Sequence, residues 1–494
     1  MRNGMKEEIR KRLENAVKTL EPYRSYGQMV SDAINNVKKL HSLVEDPTGN
    51  LDEALSIVNA MVSQLGPYSS YMPEVAETLK VTQEWLTGLK EKPPERPQKP
   101  ETPELSVAKY AKKELVAIIQ AQSGMSTRAQ IPRDPSMINM MAGDPDFNQP
   151  DFIGKAVYDA IQEGHTHYSF GGDPEFKAAI ADYYKKYGVK VDPSTQVIIE
   201  SGGSQAIFRS FGAILNPGDE FLVLDPAYGG YSTPAAYFGA KMTRAKMKKD
   251  AKGLFRPDME SIKAAITDKT KGMLICNPDN PCGTVYTEAE LKALADLVVD
   301  KDIVVIADEI YTEFVWGDHK HRSIINLPDM WERTMVLMSF SKTFAWTGCR
   351  AGYIIAGPEL SKLVSNVPTG ICSMPVAFQR AGIVALREGW GFVDEMRKAY
   401  KERIDAMVPR LNEIEGISCP YPEGAFYLFP DISGTGLPSM RFMMELMQRE
   451  KVLGAPGMIY GPNGEGHVRF ALVKPKEKLL EACDRIERFV NGLK

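Results

Sequence analysis

Between residues 196 and 356, short β-rich runs alternate with helical stretches, and this alternation is the feature that most constrains the fold. Several runs are apolar at consecutive positions, as in VVIAD and MVLMS, which is typical of parallel strands covered on both faces. Helical segments such as 288–299 lie between them. The pattern predicts an α/β fold with a mostly parallel sheet. The predicted strands are 196–200, 220–225, 272–276, 303–308, 334–339 and 352–356.

The region before this pattern has a different texture. Residues 1–92 carry apolar residues at three- and four-residue spacing, which predicts amphipathic helices. The segment LEPYRSY at 20–26 returns 45 residues later as LGPYSSY at 65–71, so we expect two related helix pairs packed as a small bundle. For this all-α module we expect a role in docking or oligomerisation. Residues 93–104 contain five prolines and predict a semi-rigid exposed linker.

The remaining residues are expected to form two domains. The large α/β domain is predicted at 143–374. Helices and glycine-broken strands such as GHVRFALV follow it, so residues 105–142 and 375–494 are predicted to form a smaller α+β domain.

Composition excludes several classes of protein. The chain has 494 residues, 43% hydrophobic and 25% charged, with a net charge of -4 and no long basic run, so we expect no nucleic-acid partner. The charged start lacks the apolar core of a signal peptide, and no stretch approaches the roughly eighteen apolar residues of a membrane span. The six cysteines are scattered without a CxxC pair, which indicates reduced thiols and a cytoplasmic protein.

Polar and aromatic residues gather at five predicted strand ends. Ligands of open α/β sheets bind outside the carboxyl ends of the strands, so these residues predict the site. They are 202–205, 225–228, 277–283, 308–311 and 339–342.

Lys342 follows a strand in SFSKTFAWTGCRAGY. Partial desolvation lowers the pKa of a lysine and exposes a nucleophilic amine, as Schiff-base formation requires. Asp308 ends the run VVIAD, where a buried carboxylate needs a partner. Beside the pyridine nitrogen of pyridoxal 5'-phosphate (PLP) it would keep that nitrogen protonated and make the ring an electron sink. The alternatives are a surface role for Lys342, and a helix cap or structural salt bridge for Asp308.

A second group of residues suits a phosphate. Gly202, Gly203 and Ser204 lie between a strand and a helix in ESGGSQAIF, where backbone N–H groups can bind an anion. Ser339, Ser341 and Arg350 would complete this cup. No dinucleotide or triphosphate motif occurs in a strand–turn–helix context.

Three further residues suit the rest of a cofactor–substrate pair. Asn280 lies in a proline-fixed turn, NPDNPCGTVY, where its amide can hold both the phenolic oxygen of the cofactor and the substrate carboxylate. Tyr228 in DPAYGGY could stack on a ring. Arg469 lies on a strand in GHVRFALV with no carboxylate nearby in the sequence. This position favours an anionic partner, such as a substrate α-carboxylate. An ordinary buried salt bridge is the alternative for Arg469.

In this order the motifs resemble the PLP-dependent class I/II aminotransferases of fold type I, from about residue 106 to the end. The pieces that carry the likeness are AGDPDF, HYSFGGDPEFKAAIADYY, SGGSQAIF, LNPGDEFLVLDPAY, NPDNPCGTVY, ADEIY, SFSKTFAWTGCRAGY, PEGAFYLF and HVRFALV. The resemblance implies an enzyme that moves an amino group between an L-amino acid and a 2-oxo acid.

The resemblance also implies residue roles. Lys342 would be the Schiff-base lysine and the acid/base at the substrate Cα, and Asp308 the partner of the pyridine nitrogen. Arg469 would bind the α-carboxylate beside Gly143. Tyr168 would reach the phosphate of a neighbouring subunit, which implies a homodimer with shared active sites. The other cofactor contacts would be Tyr311 and Asn280 to the phenolic oxygen, Tyr228 to the ring, and Gly203, Ser204, Gln205, Ser339, Ser341 and Arg350 to the phosphate.

Some features depart from the family pattern. Cys282 stands where a threonine is common, and the N-terminal module is extra. Gly229 and Gly230 follow Tyr228 and are expected to enlarge the substrate side of the pocket.

Another PLP chemistry (lyase, β-decarboxylase, cyclase or oxidase) stays open, as does a non-catalytic scaffold. A second, dicarboxylate-binding arginine has two candidates, Arg133 and Arg209. The pairs His165/His167 and His319/His321 lack a third ligand, so we expect no metal.

Overall fold

The computed structural model describes residues 2–26, 28–45, 50–65, 72–90, 112–122, 134–369 and 374–493. The chain divides into two compact units, Met1–Tyr110 and Ala111–Lys494. The predicted linker lies outside the described residues, so the proposed domain boundaries around it stay predictions.

The described residues of the first unit form four α-helices. They are α1 Arg2–Leu20, α2 Gln28–Leu43, α3 Leu51–Leu65 and α4 Pro73–Lys90, with a 3₁₀ turn at Glu21–Tyr26. Each helix packs against the next one, and the first also packs against the fourth, which gives a four-helix bundle.

The 45-residue repeat reappears in the core of this bundle. Shifting α2 by 45 residues gives a start at residue 73, which is the first residue of α4. The buried residues of α1 also fall on buried residues of α3 under the same shift, so the two helix pairs use equivalent positions to fill one core. These core pairs are Ile9/Ala54, Leu13/Val58, Ala16/Met61 and Leu20/Leu65.

The second unit is organised around a seven-stranded sheet. Its strands are β2 Val197–Glu200, β3 Glu220–Asp225, β4 Lys241–Lys246, β7 Thr270–Cys276, β8 Val304–Asp308, β9 Thr334–Ser339 and β10 Gly352–Ala356. Their order in the sheet is β2-β10-β9-β8-β7-β3-β4. All neighbouring pairs are parallel except those of β10, which runs antiparallel to β2 and β9. The predicted mostly parallel α/β fold is confirmed.

Both faces of this sheet are buried, as the unbroken apolar strands predict. Successive residues of a strand point to opposite faces, so Leu274 joins one hydrophobic core and Ile275 the other. The helices described in this unit are α5 Lys113–Gln122, α6 Asp151–Gln162, α7 Pro174–Tyr184, α8 Gly203–Ile214, α9 Ser232–Tyr237, α10 Met259–Ala265, α11 Glu288–Asp300, α12 Phe340–Thr343, α13 Pro358–Ser365, α14 Val376–Glu388, α15 Trp390–Asn412, α16 Ser439–Glu450 and α17 Lys476–Asn491. Helices such as α7, α8 and α13 pack against strands of the large sheet, whereas α16 and α17 pack against each other and against shorter strands outside it.

Smaller sheets complete the unit. Strands β11 Tyr427–Leu428, β14 Val468–Ala471 and β13 Ala455–Pro456 form a three-stranded antiparallel sheet. The pairs β1 Ile138–Asn139 with β12 Val452–Leu453, and β5 Lys248–Lys249 with β6 Phe255–Arg256, are two-stranded. Among the described residues, no helix combines the length and apolar character of a membrane span. The five described cysteines are free thiols.

Candidate active site

Lys342 lies just beyond a strand end at the middle of the sheet. Strand β9 ends at Ser339, and Lys342 follows in the short helix α12. Its ammonium group donates a hydrogen bond to the carbonyl oxygen of Gly143. Burial, reinforced by the positive charge of Arg469, lowers the pKa of Lys342 to about 8. A sizeable fraction of this amine is therefore neutral near physiological pH.

Asp308 ends the neighbouring strand β8 and is 3% exposed. Its Oδ2 accepts a hydrogen bond from the hydroxyl of Tyr231 at 2.7 Å, and no described cation forms a salt bridge with it. Burial raises the pKa of Asp308 to about 6, although the Tyr231 hydrogen bond acts in the opposite direction. The structural salt bridge considered for Asp308 is therefore not found within the described chain, and the carboxylate stays available for a cationic partner.

Arg469 lies on β14, is 5% exposed, and forms no ion pair with a described carboxylate. Its guanidinium donates to Asn280 Oδ1 at 2.7 Å and to the carbonyl oxygen of Met141 at 2.5 Å, while Nε is buried without a hydrogen-bond partner in the described structure. A buried cation that lacks a counter-charge is costly, so this position favours an anionic ligand.

Tyr427 connects Arg469 to Tyr311. The guanidinium carbon of Arg469 lies 4.2 Å from the centroid of the Tyr427 ring, and the hydroxyls of Tyr427 and Tyr311 are 2.8 Å apart. Asn280 Nδ2 is 3.5 Å from the Tyr311 hydroxyl. A Cβ on Gly143 would overlap the Tyr427 hydroxyl, which explains the glycine at this position.

The predicted phosphate cup assembles between two strand ends. Gly202, with φ of +81°, precedes helix α8, and no side chain caps the first turn of this helix. A Cβ at Gly202 would lie 2.7 Å from the Arg350 guanidinium, and one at Gly203 would lie 3.8 Å from Ser339 Cβ. The N–H groups of this turn, including those of Ser204 and Gln205, therefore face an anion-binding position.

The opposite wall of this cup is held by local hydrogen bonds. Ser339 Oγ donates to Ser341 Oγ at 2.8 Å, and Arg350 donates to the carbonyl oxygens of Thr347 and Ser201 at 2.6 and 2.9 Å. Arg350 has a φ of +54°, in the left-handed region that costs a non-glycine residue about 1–2 kcal/mol. Such strain at a ligand-facing arginine is typical of a functional position.

Tyr228 is 40% exposed, and its ring packs edge-on against Tyr231, with centroids 5.3 Å apart. The two glycines that follow allow close contacts, and the expected enlargement of the pocket stays a prediction. A Cβ on Gly230 would overlap the Tyr228 ring, and one on Gly229 would lie 3.0 Å from the Ile459 carbonyl oxygen. The glycines make room for the tyrosine and for a neighbouring turn.

Tyr168 is not brought to the other site residues within this chain. It is 73% exposed and packs against the equally exposed Phe170, with ring centroids 6.0 Å apart. Arg209 is not a substrate arginine, because it forms a buried ion pair with Glu200 at 2.7 Å. The other candidate, Arg133, lies outside the described residues.

Neither histidine pair converges on a common metal position. His319 and His321 face different carboxylates, those of Glu423 and Glu309, at 3.5 and 3.4 Å. No cluster of three metal-ligating side chains occurs among the residues that the structure describes. Cys282 is buried in the turn after Asn280, and its backbone N–H donates to Asp279 at 2.9 Å.

Sequence reasoning missed two residues of the site, Tyr231 and Tyr427. Both lie inside quoted motifs, DPAYGGY and PEGAFYLF. Both tyrosines are buried in the fold, and a buried tyrosine usually has a hydrogen-bond partner, but the sequence alone carries no signal of this burial.

Comparisons with known proteins agree with this geometry. The sequence model of the family "Aminotransferase class I and II" matches residues 135–486. The aspartate aminotransferase of Pyrococcus horikoshii is 36% identical over 391 residues, which cover 78% of this chain and 99% of the relative. The aromatic-amino-acid aminotransferase 2 of Thermococcus litoralis is 35% identical over 363 residues, 72% of this chain and 92% of the relative.

A solved structure gives the same result. The aromatic aminotransferase from Pyrococcus horikoshii matches with a TM-score of 0.70 at 36% identity, over 74% of this chain and 98% of that one. The match covers nearly the whole length of these relatives. The chain therefore belongs to the class I and II aminotransferase family, whose members are PLP-dependent enzymes.

Proposed function

We propose that this protein uses PLP, carried by Lys342, to move the amino group of an L-amino acid to a 2-oxo acid. The observation that carries this proposal is Arg469, a buried guanidinium without a carboxylate partner in the described chain, beside an amine whose pKa is lowered to about 8. An α-carboxylate is an anion that every amino acid and every 2-oxo acid carries, so one arginine serves both substrates of the two half-reactions.

The residues fit the cofactor. The uncapped first turn after Gly202, together with Ser339, Ser341 and Arg350, offers the donors that a phosphate needs. Asp308 is a buried carboxylate without a cationic partner among the described residues, and a pyridine nitrogen held in its protonated form would supply one. Tyr311 and Asn280 lie next to each other and suit the phenolic oxygen.

When bound, PLP supplies an electron sink for the negative charge that develops at the substrate Cα. Asp308 keeps the ring nitrogen protonated by its negative charge. Arg469 and Asn280 would bind the α-carboxylate and fix the orientation of the substrate. The neutral amine of Lys342 would accept the proton from the substrate Cα and donate it to the cofactor carbon. Tyr228 supports the ring from an exposed position, and Tyr168 completes the phosphate site of a second copy in a homodimer.

Named relatives suggest the first donors to test. Two of them are described as acting on aspartate and on aromatic amino acids, so we propose that aspartate, phenylalanine and tyrosine be screened against 2-oxoglutarate, pyruvate and oxaloacetate. The purified protein should absorb visible light, borohydride should fix a pyridoxyl group to Lys342, and an amino donor should convert the spectrum to that of the pyridoxamine form. Lys342→Ala should abolish each signal, whereas Lys362→Ala, on the exposed side of helix α13, should change none of them.

Different results would support other chemistry. Release of ammonia, carbon dioxide or peroxide in place of a new amino acid would replace transamination by another PLP reaction on the same scaffold. A colourless protein from which borohydride yields no pyridoxyl-lysine would overturn the proposal. A Lys342→Ala protein that kept its cellular role would favour the non-catalytic scaffold.

A further inference from the structure

The hydroxyl of Tyr427 lies where three site residues meet. It is 2.8 Å from the Tyr311 hydroxyl, it occupies the space that a side chain at position 143 would take, and its ring lies under the Arg469 guanidinium. Tyr427 is 2% exposed, so water does not compete for these contacts. This contact set does not follow from packing alone, since a phenylalanine would fill the same volume without a hydroxyl.

The 2.8 Å contact between the two hydroxyls fits either one as the donor. Tyr427 is the phenol whose ring lies against the Arg469 guanidinium, at 4.2 Å. Donation by Tyr427 leaves the hydrogen of Tyr311 for another acceptor, because a phenol has one hydrogen.

Asn280 fills the other acceptor position of Tyr311. Its Oδ1 accepts from Arg469, which fixes the amide so that Nδ2 faces the Tyr311 hydroxyl at 3.5 Å. A phenol oxygen has two acceptor positions and one hydrogen. With both acceptor positions turned to Tyr427 and Asn280, the hydrogen of Tyr311 is left to be donated into the site.

We propose that Tyr427 is a positioning residue, which holds the Tyr311 hydroxyl so that its hydrogen points at a negatively charged oxygen of the bound cofactor. This inference rests on the proposed function, because it assigns Tyr427 a task only in a protein that binds PLP. Tyr427 acts through Tyr311 and touches no reacting atom. The hydrogen bond from Tyr427 also makes Tyr311 a stronger donor, because hydrogen bonds in a chain polarise one another.

The test is a spectrophotometric pH titration of the cofactor-loaded protein. A donated hydrogen bond stabilises the ionised cofactor oxygen, so Tyr427→Phe should raise the pH of the visible absorbance transition, by about one unit for one hydrogen bond. The ring remains under Arg469 in this variant, so KM for the amino donor should stay unchanged while kcat falls by up to about tenfold. Tyr427→Leu should also raise KM, because it removes the ring.

Tyr400→Phe is the matched control. Tyr400 is fully buried in the same aromatic cluster, stacked on Phe426 with centroids 4.6 Å apart, and its hydroxyl has no partner in the described part of the chain. Its transition pH should equal that of the wild type. In a Tyr311→Phe background, Tyr427→Phe should add no further shift, because the residue through which it acts is gone.

Two results would overturn the inference. An unchanged transition in Tyr427→Phe would show that Tyr427 does not influence Tyr311, and a lower transition pH would show that Tyr311 donates to Tyr427. Both results require a wild-type protein that shows the visible absorbance band of the bound cofactor. A wild type without this band would contradict the proposed function itself, so the two failures are distinguishable.

Discussion

At the scale of single residues, Tyr231 offers the cleanest test of how Asp308 is kept ionised. Its hydroxyl is the 2.7 Å donor to this buried carboxylate. Tyr231→Phe removes one stabiliser of the negative charge, so the pKa of Asp308 rises further above about 6. We expect kcat to fall, and to fall more at low pH than at high pH, because the carboxylate loses a hydrogen bond that favours its ionised form.

The measurement is a pH profile of kcat for wild type, Tyr231→Phe and a control. Tyr286→Phe serves as the control, because the buried Tyr286 hydroxyl has no hydrogen-bond partner within the described residues. A loss in Tyr231→Phe that is the same at every pH would mean that Tyr231 contributes something other than the charge of Asp308.

Lys342 allows a second residue-scale prediction, on the stability of the protein without cofactor. Its folded-state pKa of about 8 is below the ordinary value of 10.5, so the folded state binds fewer protons than the unfolded state between these values. The free energy of unfolding therefore increases with pH across this window. Without cofactor, Lys342→Met should be more stable than wild type at pH 7, and the gap should narrow by pH 10.

Urea denaturation at pH 7, 8, 9 and 10 measures the difference in the free energy of unfolding between wild type and Lys342→Met. Lys362→Met is the control, because Lys362 is exposed and its substitution should give a small difference in stability that is the same at each pH. A constant gap between wild type and Lys342→Met would show that burial does not depress the pKa of the amine.

At the scale of elements, the turn between β2 and α8 shows why a glycine precedes the phosphate donors. Gly202 combines a φ of +81° with an approach of the Arg350 guanidinium. Gly202→Ala should therefore strain the turn and displace Arg350, and the affinity for PLP should fall at least about tenfold, which fluorescence titration measures.

Gly218→Ala separates the effect of backbone strain from the effect of contact with Arg350. Gly218 has a φ of +91°, but no atom lies within 4 Å of an added Cβ, so this variant has the backbone cost alone. It should lose about 1 kcal/mol of stability and keep its PLP affinity. Equal losses of affinity in the two variants would show that contact with Arg350 is irrelevant.

The same comparison of elements shows what could be predicted from the sequence. Six strands of the large sheet were predicted within two residues of their observed bounds, because buried parallel strands are apolar throughout. The seventh, Lys241–Lys246, was missed, because it is an edge strand with lysines and an arginine. The antiparallel direction of Gly352–Ala356 was also not predicted, since an apolar run carries no sign of its direction.

The site residues also divide into those that the sequence predicts and those that it does not. Residues at strand ends were predicted, because parallel strands bring their carboxyl ends to one edge of the sheet. The contacts of Tyr231 with Asp308 and of Tyr427 with Tyr311 join positions 77 and 116 residues apart, and hydrophobic periodicity reports only on neighbours along one element. Tertiary hydrogen bonds of this kind need the folded chain.

At the scale of the whole molecule, every predicted site residue belongs to the second unit. Within that unit, Tyr168 is exposed and does not lie with the other site residues. The family resemblance implies that it belongs to the site of a partner subunit, which stays a prediction. An aromatic side chain that is 73% exposed beside one that is 76% exposed is also costly for a monomer, so the surface around Tyr168 and Phe170 suits burial between two copies.

Mixed dimers test whether the sites are shared. Lys342→Ala removes the amine, and Tyr168→Glu places a negative charge beside the phosphate, so each variant alone should be inactive. In a mixed dimer, Lys342 of one subunit and Tyr168 of the other are both intact at one of the two sites. Equal amounts of both variants, unfolded and refolded together, should therefore regain about a quarter of wild-type activity, because random pairing makes half of the dimers mixed. Sites built within a single chain would leave both variants inactive after mixing, and analytical ultracentrifugation of the mixture shows whether dimers have formed.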